Sequence, residues 1–477
     1  MALAESRACG RRTMDVRRLT PKRSGSLALL AILATVSCGP TFPDPTAVRA
    51  VIVVDVDTLR ADHLSAYGYA RQTSPNIDAF ARRAVQFDWA FSQAPNTLPS
   101  QTSILTSLYP STHLVLHDGD RLKPDVVTLA ERFRDAGFAT GAFIDGGYMK
   151  SQFGLDQGFD TYFDINGGGL GVGESHISKW LTEQSQNKFF LLIHTYDVHT
   201  PYAPREPFRS RFTANLAPPT PGFEPTSEAL ESIRMSKYTA EPRSLADRDL
   251  EYSRALYDGE VALVDDWFGR FLRQLDDLGL ADSTVVALVS DHGEEFQEHG
   301  SVLHEKLYRT VTHVPLVVFA PGAGNGRRVG QTVETIDLAP TLLELAGVAS
   351  PTAGEGQQGR GGMEGRSLVP WLAGEAPAQA RLAFSESPFF GVQRAVSDDR
   401  LRLILTVESG RIELFRSRED PAEAQDLAIA SPDLARPLLH SLRLWSRERP
   451  PERMLRRDPV VLPEEVEKSL RALGYLQ

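Results

Sequence analysis

Cysteine is almost missing from this 477-residue chain: Cys9 and Cys38 are its whole supply. Beyond Cys38 no disulfide can form and no thiol chemistry is available, so the remainder must be held by its own core. Long apolar runs are missing too. After Cys38 no stretch approaches the ~20 apolar residues of a membrane-crossing helix. Positive charge is in deficit, with 51 Lys and Arg against 62 Asp and Glu and a formal net charge of -11. That balance opposes non-specific binding to a polyanion, and no nucleic-acid partner is expected. No internal repeat is visible.

What is present is a chain that can bury a core. The hydrophobic fraction is 42%, ordinary for a globular protein, and the length suits one large domain and a small one. Residues 1–38 read as an export signal. Arg17, Arg18, Lys22 and Arg23 form a basic patch, Leu27 to Val36 is a short apolar run, and Thr35-Val36-Ser37-Cys38-Gly39 closes it. The small residue before Cys38 resembles a bacterial lipobox, in which the Cys is lipidated and becomes the mature N-terminus. Thr35 departs from the Leu usual there, and an uncleaved anchor or an ordinary signal peptide is the alternative. Either Met1 or Met14 can be the start. The expected location is the bacterial cell envelope or periplasm, with a lipid anchor at Cys38. Residues 39–47, with Pro43 and Pro45, read as a tether.

Two stretches carry the chemistry. Val285 to Val289 is a continuous apolar run ending in Ser290-Asp291-His292-Gly293-Glu294. Val51 to Val54 is another, ending in Asp55-Val56-Asp57-Thr58. Such runs suit strands buried on both faces of a parallel sheet. Ligands gather at the carboxyl ends of such strands. Two strand ends that both deliver acids make the skeleton of a metal site. A third run, Phe189 to Ile193, leads into His194-Thr195-Tyr196-Asp197-Val198-His199. Thr97 precedes Pro99 at a predicted helix start, where free N–H groups favour an anion. It reads either as a nucleophile toward an ester or as a capping threonine.

The rest of the chain alternates strand and helix signals. Asn76 to Phe87 reads as a short helix, Val126 to Ala136 as a helix, Ala139 to Ile144 as a strand, and Asp249 to Leu278 as a long helix. Arg205 to Leu250 reads as a long loop or lid holding one short helix, Ser227 to Ser236, and substrate specificity is expected there. Gly354 to Gly365 reads as a linker. Within 376–445, Gln393 to Val396, Leu401 to Leu405 and Ile412 to Phe415 alternate as strands, followed by a helix from Pro432 that Pro437 disfavours. Residues 446–477 read as a mobile tail.

These pieces, in order, resemble the sulfatase branch of the alkaline phosphatase superfamily: VVDVDTLRADHLSAYGY, TSPNIDAFA, TLPSQTSILTSLYP, DVHTPYAP, YDGEVALVDDWFGRFL, VSDHGEEFQEHG, HVPLVVFAPG, TIDLAPTLLELAG, GRSLVPWL and ELFRSREDPAEAQDL. The resemblance implies an α/β fold: a mostly parallel central sheet flanked by helices over 48–375, with a small C-terminal antiparallel sheet subdomain over 376–445. It implies that Asp57, Asp291 and His292 bind a divalent metal and that Thr97 occupies the nucleophile position beside it. Asp197 and His199 match a segment that contacts substrate or binds a second ion. His304 matches a later basic position near the transferred group or second ion, with Lys306 as a neighbouring candidate. One or two ions are expected, with zinc or manganese favoured by the mixed carboxylate and imidazole donors, and calcium or magnesium possible.

Departures from the family pattern redirect the chemistry. Sulfatases place Cys or Ser in C/S-x-P-x-R and convert it to formylglycine. Here the motif reads Thr97-Leu98-Pro99-Ser100-Gln101. Threonine cannot give that aldehyde, and the Arg has become Gln101. Thr58 also stands where many sulfatases have a second Asp. Threonine at this position resembles the phosphodiesterases and phosphoethanolamine transferases of the superfamily, where the hydroxyl, acidified by a bound cation, attacks phosphorus. The expected protein is therefore an exported hydrolase of anionic phosphate or sulfate esters, with phosphodiester or phosphonate chemistry favoured. The alternatives are a phosphoethanolamine-type transferase and a non-catalytic lipoprotein that binds an anionic glycan or lipid. Such transferases usually carry several membrane helices before the catalytic domain, which favours the hydrolase.

Overall fold

A computed structural model describes residues 47–323, 326–349, 362–375, 380–389, 391–455, 459 and 461–473. The export signal, most of the tether and most of the Gly354 to Gly365 linker lie outside the described residues. Among the described residues fourteen strands form three sheets. In chain order they are β1 (Ala50–Val56), β2 (Val85–Phe91), β3 (Ala139–Ile144), β4 (Thr161–Asp164), β5 (Phe189–Thr195), β6 (Thr284–Val289), β7 (Glu295–Phe296), β8 (Val302–Leu303), β9 (His313–Phe319), β10 (Arg327–Glu334), β11 (Ala383–Ser387), β12 (Gln393–Ser397), β13 (Leu401–Thr406) and β14 (Arg411–Arg416).

The large sheet has the order β10-β2-β9-β6-β1-β5-β3-β4. It is mostly parallel, and β9 runs antiparallel to both its neighbours, β2 and β6. The apolar runs of β1, β5 and β6 are buried along their whole length. Alternate side chains feed two cores, as the two-residue period of a strand requires. Val51, Val53, Leu192 and Ala287 join one, and Ile52, Val54, Leu191 and Leu288 join the other. The three strands are adjacent and parallel, with Asp55 opposite both Val289 and His194. Their carboxyl ends therefore open onto one place.

Several boundaries differ from the sequence reading. Val85 to Phe91 is a strand, and the helix before it ends at Ala81. The pairing of β2 with β9 and β10 outweighs local propensity there. The helix expected from Val126 begins at Leu129. Thr128 caps it through a reciprocal box with Glu131 that satisfies two end N–H groups. The segment 205–250 holds two further helical pieces besides Ser227–Ser236: Phe208–Thr213 and the start of the long helix Asp247–Asp277.

The small sheet β11-β12-β13-β14 is antiparallel throughout. The helix Pro432–Arg447 packs on it through Ala435, Leu438 and Leu442, with Pro437 accommodated inside the helix. The described part of the expected mobile tail is packed. Glu464–Ala472 is a helix whose Val466 and Leu470 are buried in the main core, and Met454 is fully buried. Two apolar residues four apart on a nine-residue helix are enough to dock it.

Candidate active site

At the end of β1 the chain turns sharply. Thr58 sits at φ 55°, an outlier for a β-branched residue. Tyr257 braces this turn, its hydroxyl donating to Thr58 O at 2.8 Å and accepting from Arg60 N at 2.9 Å. The turn after β6 is bolted to it. Ser290 Oγ accepts the Leu59 N–H at 3.0 Å and donates to His292 O at 2.6 Å. Gly293 leaves no alternative residue, because a Cβ there would lie 2.2 Å from Thr310 O. The helix Thr97–Thr106 attaches to the same turn through Ser100, whose hydroxyl donates to Asp291 O at 2.6 Å.

These braces bring Asp57, Asp291 and His292 together. One donor atom from each lies within 4.8 Å of the others, and all three residues are buried. Thr97 Oγ1 stands 3.1 Å from Asp57 Oδ2, to which it donates, and 3.2 Å from His292 Nε2. His292 Nδ1 lies 3.0 Å from Gly293 O. Nδ1 therefore donates to that carbonyl, and Nε2 is the ring atom that faces Thr97. Asn96, before the helix, makes no side-chain cap bond.

The electrostatics fit a cation. Asp57 Oδ1 and Asp291 Oδ2 are buried without a hydrogen-bond partner, the expensive condition that a bound ion relieves. Burial, then Asp291 and then Asp55, push the Asp57 carboxyl well above the carboxylate range. Burial and then Asp291 do the same to Asp55. The Asp57–Asp291–His292 group has the hard and borderline donors that a divalent ion takes.

The other expected residues divide. His304 joins the centre, its ring 4.3 Å from that of His292 and its Nδ1 3.3 Å from Glu294 Oε1. His199 packs 5.3 Å from His304, and its Nδ1 donates to Thr200 O at 2.7 Å. Burial, then His304, lower His199 to about 3, so it stays neutral. Asp197 has another task. Its Oδ2 accepts from Leu170 N and Thr195 Oγ1, both at 2.8 Å, which anchors the start of the helix Gly169–Gln184. Its carboxylate is not part of the Asp57–Asp291–His292 group. Lys306 places its ammonium 5.7 Å from the centroid of the Tyr308 ring. The structure does not join it to that group either.

Four further residues complete the centre. His194, on β5, lies with Nε2 3.4 Å from Asp57 Oδ2, and burial, then His199, lower it to about 3. Asp55 lies one strand repeat before Asp57. Glu294 accepts from Tyr202 at 3.0 Å while facing His304. Tyr196 packs edge-on against the rings of His194 and His199 at 4.8 and 5.4 Å. The signal for Asp55 and His194 was their place in the last turn of buried strands. The two tyrosine contacts had none.

A cavity of about 260 Å³ adjoins the centre, with Asn96, His199 and His304 on one side and Glu231, Arg234 and Glu305 on another. Arg234 pairs with Glu231 and Glu305. The helix Ser227–Ser236 thus supplies one wall.

The family profile described as Sulfatase matches residues 49–172 and 175–348, and the chain belongs to that family. A second profile, N-sulphoglucosamine sulphohydrolase, C-terminal, matches residues 297–436. The chain is a sulfuric or phosphoric ester hydrolase of the alkaline phosphatase superfamily. It is 24% identical over 418 residues to the multifunctional alkaline phosphatase superfamily protein PehA of Trinickia caryophylli, covering 70% of this chain and 79% of that one. It is 26% identical over 429 residues to human (Homo sapiens) iduronate 2-sulfatase, covering 70% and 76%. Among solved structures, the phosphonate monoester hydrolase of Agrobacterium radiobacter superposes with a TM-score of 0.68 at 22% identity, covering 83% of this chain and 95% of that one.

Proposed function

We propose that this chain is an exported, metal-dependent hydrolase that cleaves phosphoesters or phosphonate esters through Thr97. One observation carries the reading. The Thr97 hydroxyl lies 3.1 Å from Asp57 and 3.2 Å from His292 at the start of a helix, where a sulfatase would have its aldehyde precursor. Asp57, Asp291 and His292 would hold a divalent cation, zinc or manganese by their donor set, and its charge would acidify the Thr97 hydroxyl.

In the reaction the Thr97 Oγ–P bond forms as the ester P–O bond breaks in line. Asp57, hydrogen-bonded to the hydroxyl, orients its departing proton. The helix N-terminus adds free N–H groups near the developing negative charge. Burial, then His292, hold His304 well below its ordinary value beside Glu294, so the leaving oxygen takes its proton from water. Water then attacks phosphorus, the Oγ–P bond breaks as the new O–P bond forms, and a proton returns to Thr97 Oγ as the phosphate or phosphonate leaves. The structural likeness to phosphonate monoester hydrolases supports the choice of substrate class. Export and lipidation at Cys38 complete the proposal on the N-terminal sequence alone.

The test is a panel of aryl phosphate mono- and diesters, phosphonates and sulfates with zinc or manganese. Thr97→Ala should lower kcat on the best ester by at least about a thousandfold with metal content intact, and Thr97→Ser should keep a measurable fraction. A capping threonine would instead cost about 0.5–2 kcal/mol of stability and leave turnover intact. Near-wild-type turnover in Thr97→Ala would end the proposal.

A further inference from the structure

The cavity of about 260 Å³ beside the centre has oxygens in its wall that lack partners. Glu305 Oε1 pairs with Arg234, while its Oε2, equally buried, has no hydrogen-bond partner. Glu305 as a whole is only 3% exposed. Asn96 Oδ1 and Thr200 Oγ1 belong to residues of the same wall, and both atoms are likewise buried without a partner. Buried oxygens in that condition are costly until a donor reaches them. A carboxylate oxygen and an amide oxygen can only accept, and a threonine hydroxyl can accept as well. The wall therefore matches a ligand rich in donors.

Charge narrows the choice. The charged side chains of this cavity are Asp118, Glu231, Arg234 and Glu305. Asp118 is exposed, and the other three form one ion-pair cluster. Arg234 Nε donates to Glu231 Oε2 at 2.5 Å, and its terminal nitrogens pair with Glu231 and Glu305. Glu231 and Arg234 stand three residues apart on the helix Ser227–Ser236, the spacing at which side chains meet. Two carboxylates on one guanidinium leave one negative charge, before Asp118 is counted. The rigid fork of Arg234 makes it a positioning residue that holds Glu305, and Glu305 is the group with bonding capacity to spare. A second anionic group on a substrate would be repelled here. A hydroxyl would meet an acceptor and leave the charge unanswered. A primary ammonium brings three N–H donors and one positive charge.

We propose that this cavity is a subsite for a primary ammonium on the substrate, with Glu305 as its counter-ion and Asn96 and Thr200 as further acceptors. This rests on the reading of the chain as a hydrolase of phosphoesters or phosphonate esters at Thr97. It names the class of those esters: zwitterionic, with a short aminoalkyl arm on the reacting phosphorus. His304, whose ring is 4.3 Å from that of His292, is part of the cavity wall, so the cavity begins next to the reacting centre. Its volume suits a short arm rather than a long glycan, since pockets for drug-sized ligands run to about 300–1,000 Å³.

The test uses small acids that carry no ester: 2-aminoethylphosphonate, 2-hydroxyethylphosphonate and ethylphosphonate, titrated by calorimetry into the metal-loaded full-length chain. The aminoethyl compound should bind at least about tenfold more tightly than the ethyl compound, and the hydroxyethyl compound should gain less than about threefold. Glu305→Gln should erase the ammonium preference while leaving the affinity for ethylphosphonate within about twofold. Should Glu305→Gln fail to fold, the trimethylammonium analogue of the aminoethyl compound decides on the wild-type chain. It keeps the charge and loses the N–H donors, and should forfeit most of the gain. The 4-nitrophenyl esters of the same three phosphonates should follow the same order in kcat/KM. Equal binding of the aminoethyl and ethyl compounds, equal binding of the aminoethyl and hydroxyethyl compounds, or a preference that survives in Glu305→Gln would overturn the ammonium subsite and leave Thr97 untouched. An ammonium preference in binding with no ester turned over would uphold the subsite and overturn the hydrolase reading.

Discussion

A threonine hydroxyl attacks an ester only where its oxygen is held as an anion, and every group against Thr97 bears on that requirement. Asp57 accepts the Thr97 proton, His292 Nε2 lies 3.2 Å from the same oxygen, and the buried acids Asp55, Asp57 and Asp291 create a deficit of positive charge that a divalent ion would fill. Buried histidines impose a pH dependence of their own. Burial lowers His113, His194 and His313 to about 3, from an ordinary value of 6.5. Between those values the unfolded chain binds more protons than the folded one, so stability is present above pH 6.5 and is lost as pH falls toward 3. Melting followed from neutral pH downward should show a progressive fall in Tm. Since His113 and His313 lie outside the Asp57–Asp291–His292 group, the fall should persist with metal present. A Tm that is flat or rises on acidification would contradict their neutral burial.

At the scale of elements, the site is the meeting of three adjacent parallel strand ends with one helix start. Ser290 is the bolt between the turns after β1 and β6. Ser290→Ala would leave the buried Leu59 N–H with its longer bond to Val56 O at 3.3 Å and remove the hydroxyl that donates to His292 O, at a cost of about 1 kcal/mol. A larger proportional loss in metal affinity than in stability is expected, because Asp57 and Asp291 sit on the two turns it joins. Calorimetry and metal titration of the variant check this, and unchanged affinity would argue that the turns hold themselves. Much of this was legible in the sequence. Val51 to Val54 and Val285 to Val289 are apolar enough to be read as buried strands, and acids at their ends have few structural uses. Asp197 showed the same pattern, yet its carboxylate anchors a helix start nearly thirty residues upstream. Only tertiary packing reveals that partner. Tyr202 was illegible for a similar reason: its hydroxyl donates to Glu294, 92 residues further on. β2 was misread because its sheet neighbours, β9 and β10, lie more than two hundred residues away in sequence.

At the scale of the whole molecule, distant parts of the chain converge on the centre. The Ser227–Ser236 helix walls the 260 Å³ cavity with Glu231 and Arg234, and Leu473, just after the last helix, lines the same cavity. The segment expected to move freely therefore helps line this cavity. The N-terminal sequence adds an expected address. If Cys38 is the lipidated residue, Cys38→Ala should shift the protein from the membrane to the soluble fraction while the folded domain keeps its turnover. Fractionation of expressing cells measures it. Soluble cytoplasmic wild-type protein that retains residues 1–37 would contradict export.

The central claim is that Thr97 carries the transferred group. The most direct measurement is mass spectrometry of protein quenched in acid during turnover of an aryl phosphonate or phosphate ester. The expected result is a phosphoryl or phosphonyl adduct on the peptide containing Thr97, formed at a rate that supports kcat and missing in Thr97→Ala. Turnover with the adduct on another residue, or with none at any quench time and no burst of leaving group, would contradict it.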